Sequence, residues 1–395
     1  MNFKKDLPLT SSHWGTYRAK VKDGKIKELI GWENDKDPSP IGQGILDIHN
    51  HQTRIDSPMI RKSWMDKGPG SNNSLRGTDP FISISWDEAE KIVSNELNRV
   101  RNDFGNASIF GGSYGWASAG RFHHAQSQLH RFLNCIGGYT RSKFTYSFAA
   151  AEAMVPHILG SYRAYLDTCT SWESIEENTE LFICFGGVPL KNGQIAQGGT
   201  GSHKQKEKLI RSANAGIKFV NFSPLKSDLL DEVNGEWLAL RPNTDVAIML
   251  GLAHTLYKEK LYDDKFIEKY TEGFDTFLPY LQGDIDGIVK DANWASSISE
   301  IPSEKIISLA KEMSSKRTMI SVSWSLTRQD HGEQPFWAAI MLASMVGQIG
   351  LPGGGFGFGY SATNHIGGQF SIIPGAAFPQ TQNKIEDFIP VARIS

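Results

Sequence analysis

Cysteine is nearly absent. Three occur in 395 residues, Cys135, Cys169 and Cys184, and none stands in a C-x-x-C pair. That spacing argues against a cysteine-built zinc or iron–sulfur site and implies no disulfide framework. A reducing compartment suits it. An excess of either charge is also lacking: 41 basic against 43 acidic residues leave a net charge of -2. Nothing in that balance attracts nucleic acid or an anionic membrane. Long apolar runs are missing too. The longest, 336–347, is too short to span a bilayer and contains Ser344, so no membrane insertion is expected. The first residues, MNFKKDLPLTSSHWG, hold two lysines but no apolar core and no twin arginine. They predict no export signal and hence a cytoplasmic protein, or a periplasmic one if a signal has been cropped.

What is present reads as an α/β protein, with mostly parallel sheets flanked by helices and a small β-rich N-terminal segment. Residues 1–50 alternate in short stretches (15–21 and 25–32) between turn signals, as strands do. His49-Asn50-His51 reads as a polar loop, with a metal or nuclease role the less favoured alternative. Ser85-Trp86-Asp87-Glu88 predicts a helix start, with Ser85 as cap and Glu88 three residues on. A strand over 107–112 and a helix over 120–135 follow. From 178 onward, strands (180–185, 217–222, 237–241, 319–324) alternate with helices (204–213, 245–258 capped by Thr244, 303–313 capped by Ser303, 336–347). Such alternation predicts a parallel sheet. Residues 351–359, LPGGGFGFG, read as a turn. These patterns divide the chain into 1–50, an α/β unit over 51–176 completed by 345–395, and a Rossmann-like unit over 177–344. The final residues do not read as a natural end.

Two stretches carry chemistry. In GGYTRSKFTYSFAAA, Ser147 lies in an aromatic, alanine-rich context, where a serine on its own evidence is a packing residue or cap. In GSYGWASAGRFHHAQ, Tyr114 and Trp116 read alone as a buried aromatic pair beside a turn. Taken together, these stretches resemble the active site of the molybdopterin oxidoreductases of the dimethyl sulfoxide reductase family. The branch is that of biotin sulfoxide, trimethylamine N-oxide and dimethyl sulfoxide reductases, and the resemblance runs along nearly the whole chain. It implies molybdenum held by a bis(molybdopterin guanine dinucleotide), with Ser147 as the metal's protein ligand. A high-valent cation stabilises the alkoxide that a free hydroxyl does not form near neutral pH. Soft sulfur ligands would come from the cofactor, so no cysteine cluster is needed. Trp116 and Tyr114 would donate hydrogen bonds to the transferred oxygen, which is electrostatic preorganisation. Arg121 and His123 fit either a cofactor phosphate or a helix cap. The flanks depart from the family: Phe144-Thr145 replaces Gly-Asp, and Phe148-Ala149 replaces Thr-Gly.

The resemblance also places the cofactor's nucleotide. Gly115 and Trp116 would touch the cofactor. Gly186 and Gly187, after a strand, let backbone N–H groups approach a pyrophosphate, and Lys191 adds a charge. Alone, that turn is common to many α/β proteins. GGTGSHK (198–204) fails the P-loop spacing. Pro224 lies in SPLKSD, where Ser223 and Lys226 replace the family's acid and arginine. Asp245 in NTDVAIML offers a carboxylate that selects guanine by its donor pattern, and is equally a first-turn helix acid. Trp324, Ser325 and Arg328 in SWSLTRQDHGEQ would line the pterin, while His331 and Glu333 read equally as bracing their own loop. The implied activity is reduction of a small-molecule S-oxide or N-oxide, with electrons from a donor protein or a reduced nicotinamide. An inactive cofactor-binding fragment is the alternative.

Overall fold

The structure, a computed structural model, describes residues 6–48, 51–112, 124–196, 198–368 and 378–394. The expected N-terminal strands form an antiparallel sheet of β1 (Leu9–Ser12), β2 (Gly15–Lys22) and β3 (Lys25–Gly31). Its small core is Tyr17, Ala19 and Leu29. The segment after it is locked to the body by a buried pair. His203 Nδ1 lies 2.6 Å from Asp35 Oδ2, the His203 N–H donates to Asp35 Oδ1 at 2.9 Å, and Nε2 faces the Gln194 carbonyl at 2.7 Å. His51 Nδ1 meets Thr53 Oγ1 at 2.7 Å, as a polar loop would; His49 and Asn50 lie outside the described residues.

Strands β4 (Met59–Arg61) and β5 (Phe81–Ser83) pair antiparallel. The helix Trp86–Phe104 begins as its capping pattern predicts, with Ser85 Oγ accepting from the Glu88 N–H at 3.2 Å. The strand expected over 107–112 contracts to β6 (Phe110–Gly111). Asn106–Ser108 is a 3-10 turn instead, held by the Asn106 amide on the carbonyls of Ile136 and Gly138. The helix Ala125–Cys135 leads to β7 (Thr140–Lys143), which runs parallel to β6.

The central sheet holds β8 (Leu181–Phe185), β9 (Lys218–Phe222), β10 (Glu236–Leu238), β11 (Thr318–Val322) and β12 (Gly355–Phe358). They lie in the order β10-β9-β8-β11-β12, all parallel. Every residue of β8, β11 and β12 is buried, and β8, LFICF, reads accordingly as an apolar run without alternation. The helices Asp245–Lys258, Ser303–Ser315 and Gln334–Val346 bury ten, four and nine residues respectively against the sheet and each other. Two expected caps are corrected. Thr244 holds the N-cap position, but its Oγ1 donates to the Arg241 carbonyl at 2.5 Å and makes no side-chain cap bond, and Ser303 lies inside its helix behind Pro302.

Half of the expected turn at 351–359 is strand β12, whose Phe356 and Phe358 are core residues. Its glycines allow backbone approach: a Cβ on Gly357 would run into the Tyr360 ring. β12 also lies beyond the boundary expected at 344, so the central sheet continues past it. Finally β13 (Phe388–Pro390) returns to pair parallel with β7, giving the order β13-β7-β6.

The Asp35–His203 lock generates a prediction. Asp35→Ala leaves a buried ring and N–H without their acceptor, at a cost of about 1–3 kcal/mol for each. Urea denaturation measures that loss, and hydrogen exchange should show β1–β3 opening before the central sheet.

Candidate active site

In a parallel sheet, ligands bind beyond the carboxyl ends of the strands, where the order reverses. Here that point lies between β8 and β11. The chain winds from β8 outward through β9 to β10, then returns to the other side of β8. Gly186 and Gly187 follow β8 with φ of 79° and 75°, left-handed values that favour glycine. A Cβ on Gly186 would sit 2.9 Å from Ser323 Cβ and 3.2 Å from Ser325 Oγ, across the reversal. The two walls therefore meet closely because one lacks a side chain.

The wall after β11 is a 3-10 turn, Trp324–Arg328, started by Ser323, whose Oγ accepts from the Ser325 N–H at 3.4 Å. Ser325 and Arg328 are exposed; Trp324 is half-buried. This turn holds the Ser147 loop. Arg328 Nη1 donates to the Ser147 carbonyl at 3.3 Å, and the Ala151 N–H donates to Thr327 Oγ1 at 3.4 Å. The Phe148 ring lies 4.4 Å from Trp324 and 5.3 Å from Tyr162, centre to centre. Ser147 itself is half-buried, two residues before the helix Ala149–Met154. Thus Ser147, Trp324, Ser325 and Arg328 form one neighbourhood, although 177 residues separate Ser147 from Trp324 in the chain. Tyr114, Gly115 and Trp116, with Arg121 and His123, lie outside the described residues.

Several buried polar atoms here have no partner among the described residues: Trp324 Nε1, the Tyr162 hydroxyl, Thr145 Oγ1 and Glu152 Oε2. Tyr162 and Trp324 approach each other without forming a well-directed hydrogen bond. Burial, with the Glu152 carboxylate second, raises the Tyr162 pKa, so the hydroxyl keeps its proton. Burial also raises Glu152, against the pull of Arg163. Orphaned buried donors are rare in native proteins and call for an acceptor. A polar, oxygen- and nitrogen-rich pterin fits that need, so the residues present suit the cofactor that the resemblance implies. Thr145 was marked in the sequence as part of a departure from the family pattern; Tyr162 and Glu152 were not, and nothing in their spacing marks them.

The nucleotide end is mixed. Lys191 Nζ sits 3.1 Å from Asp228 Oδ1, so an anion already shares its charge. Asp228 Oδ2 accepts from Ser223 Oγ at 2.7 Å, and that oxygen accepts from the Leu225 N–H at 3.2 Å. Ser223 thereby makes the local turn that an acid makes at such a place. Pro224 and Lys226 are exposed on this turn. Asp245 is 2% exposed at the first position of its helix, and burial pushes its carboxyl up to about 7.

Asp245 yields a pH prediction for the protein free of cofactor. Its folded pKa lies above the unfolded value near 4, so stability is intact below about pH 4. It falls as the unfolded chain ionises, and the loss, up to about 4 kcal/mol, is complete above about pH 7. Asp245→Asn should flatten this slope in denaturation curves taken from pH 4 to 8.

With the geometry established, comparisons place the chain. Residues 54–392 match the molybdopterin oxidoreductase family and residues 10–48 its N-terminal domain. The chain is 43% identical to biotin sulfoxide reductase of Cereibacter sphaeroides, over 92% of this chain and 49% of that protein. It is 42% identical to dimethyl sulfoxide/trimethylamine N-oxide reductase of Rhodobacter capsulatus, over 89% and 42%. To trimethylamine-N-oxide reductase of Haemophilus influenzae it is 38% identical, over 98% and 48%. The chain thus spans about half the length of the curated relatives it matches. The fold alone is shared with acetylene hydratase from Pelobacter acetylenicus, with a TM-score of 0.53 and 20% identity over 86% of this chain and 43% of that one. Among the described residues no helix is long and apolar enough to cross a membrane. The matches carried by both the Ser147 unit and the central sheet make the chain a member of the molybdopterin oxidoreductase family, and with the family comes a molybdopterin cofactor and its molybdenum.

Proposed function

We propose that this chain belongs to an enzyme that reduces S-oxides or N-oxides, with molybdenum carried by two molybdopterin guanine dinucleotides. The observation that carries the reading is the seat of Ser147. Its loop is fastened to the turn after β11 by Arg328, Thr327 and the Phe148–Trp324 contact, beside the reversal point between β8 and β11. The named activities of the relatives support it.

In this reading Ser147 Oγ binds the metal. Ser325, Arg328 and Trp324 border the pterin, and Gly186, Gly187, Lys191 and Pro224 the phosphates. Asp245 receives the guanine N–H groups, an acceptor role that its ionised form fills best. Tyr114 and Trp116 orient the oxide, and Gly115 and Trp116 touch the cofactor. The cofactor supplies the two-electron chemistry. The net reaction consumes two electrons and two protons, turning an S-oxide to a sulfide or an N-oxide to an amine, and releases water. Electrons come from a donor protein or a reduced nicotinamide. The Tyr162 hydroxyl remains protonated through the neutral range, so its part is donation of a hydrogen bond. The unit division proposed with this reading is an N-terminal β segment, an α/β unit around Ser147 that β13 rejoins, and a nucleotide unit built on the central sheet.

The test is metal analysis of the full-length protein with turnover of dimethyl sulfoxide, biotin sulfoxide and trimethylamine N-oxide under a chemical reductant. Molybdenum near one per chain and turnover of at least one oxide are expected. Ser147→Ala should lower turnover more than about 100-fold, beyond what an outer hydrogen bond is worth to a metal site. Full molybdenum with unchanged turnover in that variant would remove Ser147 from the metal.

A further inference from the structure

The turn after β8 is fastened at both ends. At the near end the Val188 N–H donates to the Asp228 carbonyl at 2.7 Å. At the far end Gln194 is gripped twice, both times from outside the turn. Ser39 Oγ donates to its side-chain oxygen at 3.0 Å, and His203 Nε2 lies 2.7 Å from its carbonyl oxygen. Ser39 belongs to the segment after β3, and the Tyr17 hydroxyl of β2 donates to its carbonyl at 2.9 Å. The N-terminal sheet therefore reaches, through Gln194, the stretch 189–193 that carries Lys191.

The same geometry counts protons. A carbonyl oxygen only accepts, so Nε2 of His203 must donate to Gln194. Nδ1 faces Asp35 Oδ2 at 2.6 Å, while Asp35 Oδ1 accepts from the N–H groups of His203 and Asp37 at 2.9 and 3.2 Å. The carboxylate and the ring thus need two protons between them, one on each side of the imidazole. If one is lost, one of the two contacts sets lone pair against lone pair in a buried place. The other charges beside the pair are Asp37 and Lys206, the latter 3.4 Å from Glu232. Burial raises the Asp37 carboxyl, with Lys206 and His203 pulling the other way. Burial also raises the Tyr17 hydroxyl, which keeps its proton.

We propose that His203 is a positioning residue for the cofactor: doubly protonated, it fixes the far end of the turn that carries Lys191, and the turn loosens its hold on the cofactor when the Asp35–His203 pair loses a proton. This rests on the reading in which Gly186, Gly187 and Lys191 border the cofactor's phosphates. His203 acts on them through Gln194 and the main chain.

Two substitutions with opposite expectations test it. Asp35→Asn satisfies every partner with one proton fewer, since its oxygen accepts from the His203 N–H and its amide donates to Nδ1. It should retain molybdenum on dialysis of the full-length protein as the parent does. Its retention should also lose the extra decline that the parent shows as the pH is raised. His203→Asn keeps a donor where Nδ1 stood and drops the grip on Gln194. Amide protection over 189–195 should then fall about tenfold, the worth of one charge-assisted hydrogen bond, and less molybdenum should be retained. In chain carrying nitrogen-15 histidine, the ring signal missing from His203→Asn should show two N–H protons in the parent and one in Asp35→Asn. Unchanged protection in β9 and β11 marks the variants as folded. A parent without molybdenum would overturn the proposed function instead; the ring protons and the protection over 189–195 are read in cofactor-free chain and decide the clamp by themselves. A single ring proton in the parent, protection over 189–195 as high in His203→Asn as in the parent, or equal retention of molybdenum by that variant would each overturn the proposal.

Discussion

The site depends on the pairing of β8 with β11. These strands are far apart in sequence and run side by side, Leu181 against Thr318 through Phe185 against Val322. Because both point the same way, the turns that follow them emerge at the same edge. One turn is made of glycines and the other of Ser323 to Arg328. The register, and the missing side chain at Gly186, set how closely they stand. Slip the pairing by one residue and every side chain on the shifted strand changes face, so the two turns would no longer confront each other.

Ser147 is held second-hand by the same pairing. Its loop is tied to the turn that β11 feeds, and the residues that follow it, Ala151, Val155 and Tyr162, join the core of the central sheet. Arg328 takes the main chain, Thr327 the first helical turn, and Trp324 the Phe148 ring. Trp324 in turn needs Gly359 after β12, where any Cβ would run into its indole nitrogen. The position of one hydroxyl therefore draws on the carboxyl ends of three parallel strands.

Much of this was legible in the chain. The apolar run at β8 announced a buried strand, since a strand covered on both faces has no reason to alternate. Ser85 and Glu88 announced a helix start that formed as written. Other features were hidden because they arise only by contact. LPGGGFGFG reads as a turn by glycine content, yet Gly357 is there to admit the Tyr360 ring and the stretch is a core strand. Thr244 has the composition of a cap, but its hydroxyl finds a carbonyl three residues back. Tyr162 and Glu152 carry no motif, and join the site only through the ring of Phe148.

The departures from the family pattern read differently once their geometry is known. Phe144 stands where the family has glycine, and its φ is 68°. That left-handed backbone, which glycine adopts freely, costs a side chain such as phenylalanine about 1–2 kcal/mol. Lys143 lies over the same ring at 5.2 Å, a cation–π contact that offsets part of that strain. Ser223 replaces an acid but repeats its turn through the Leu225 N–H. Phe148 replaces a small polar residue and supplies the ring that binds the loop to Trp324. Phe144 and Phe148 flank Ser147 within three residues, so the strain at one and the ring contact of the other both bear on the loop that carries it.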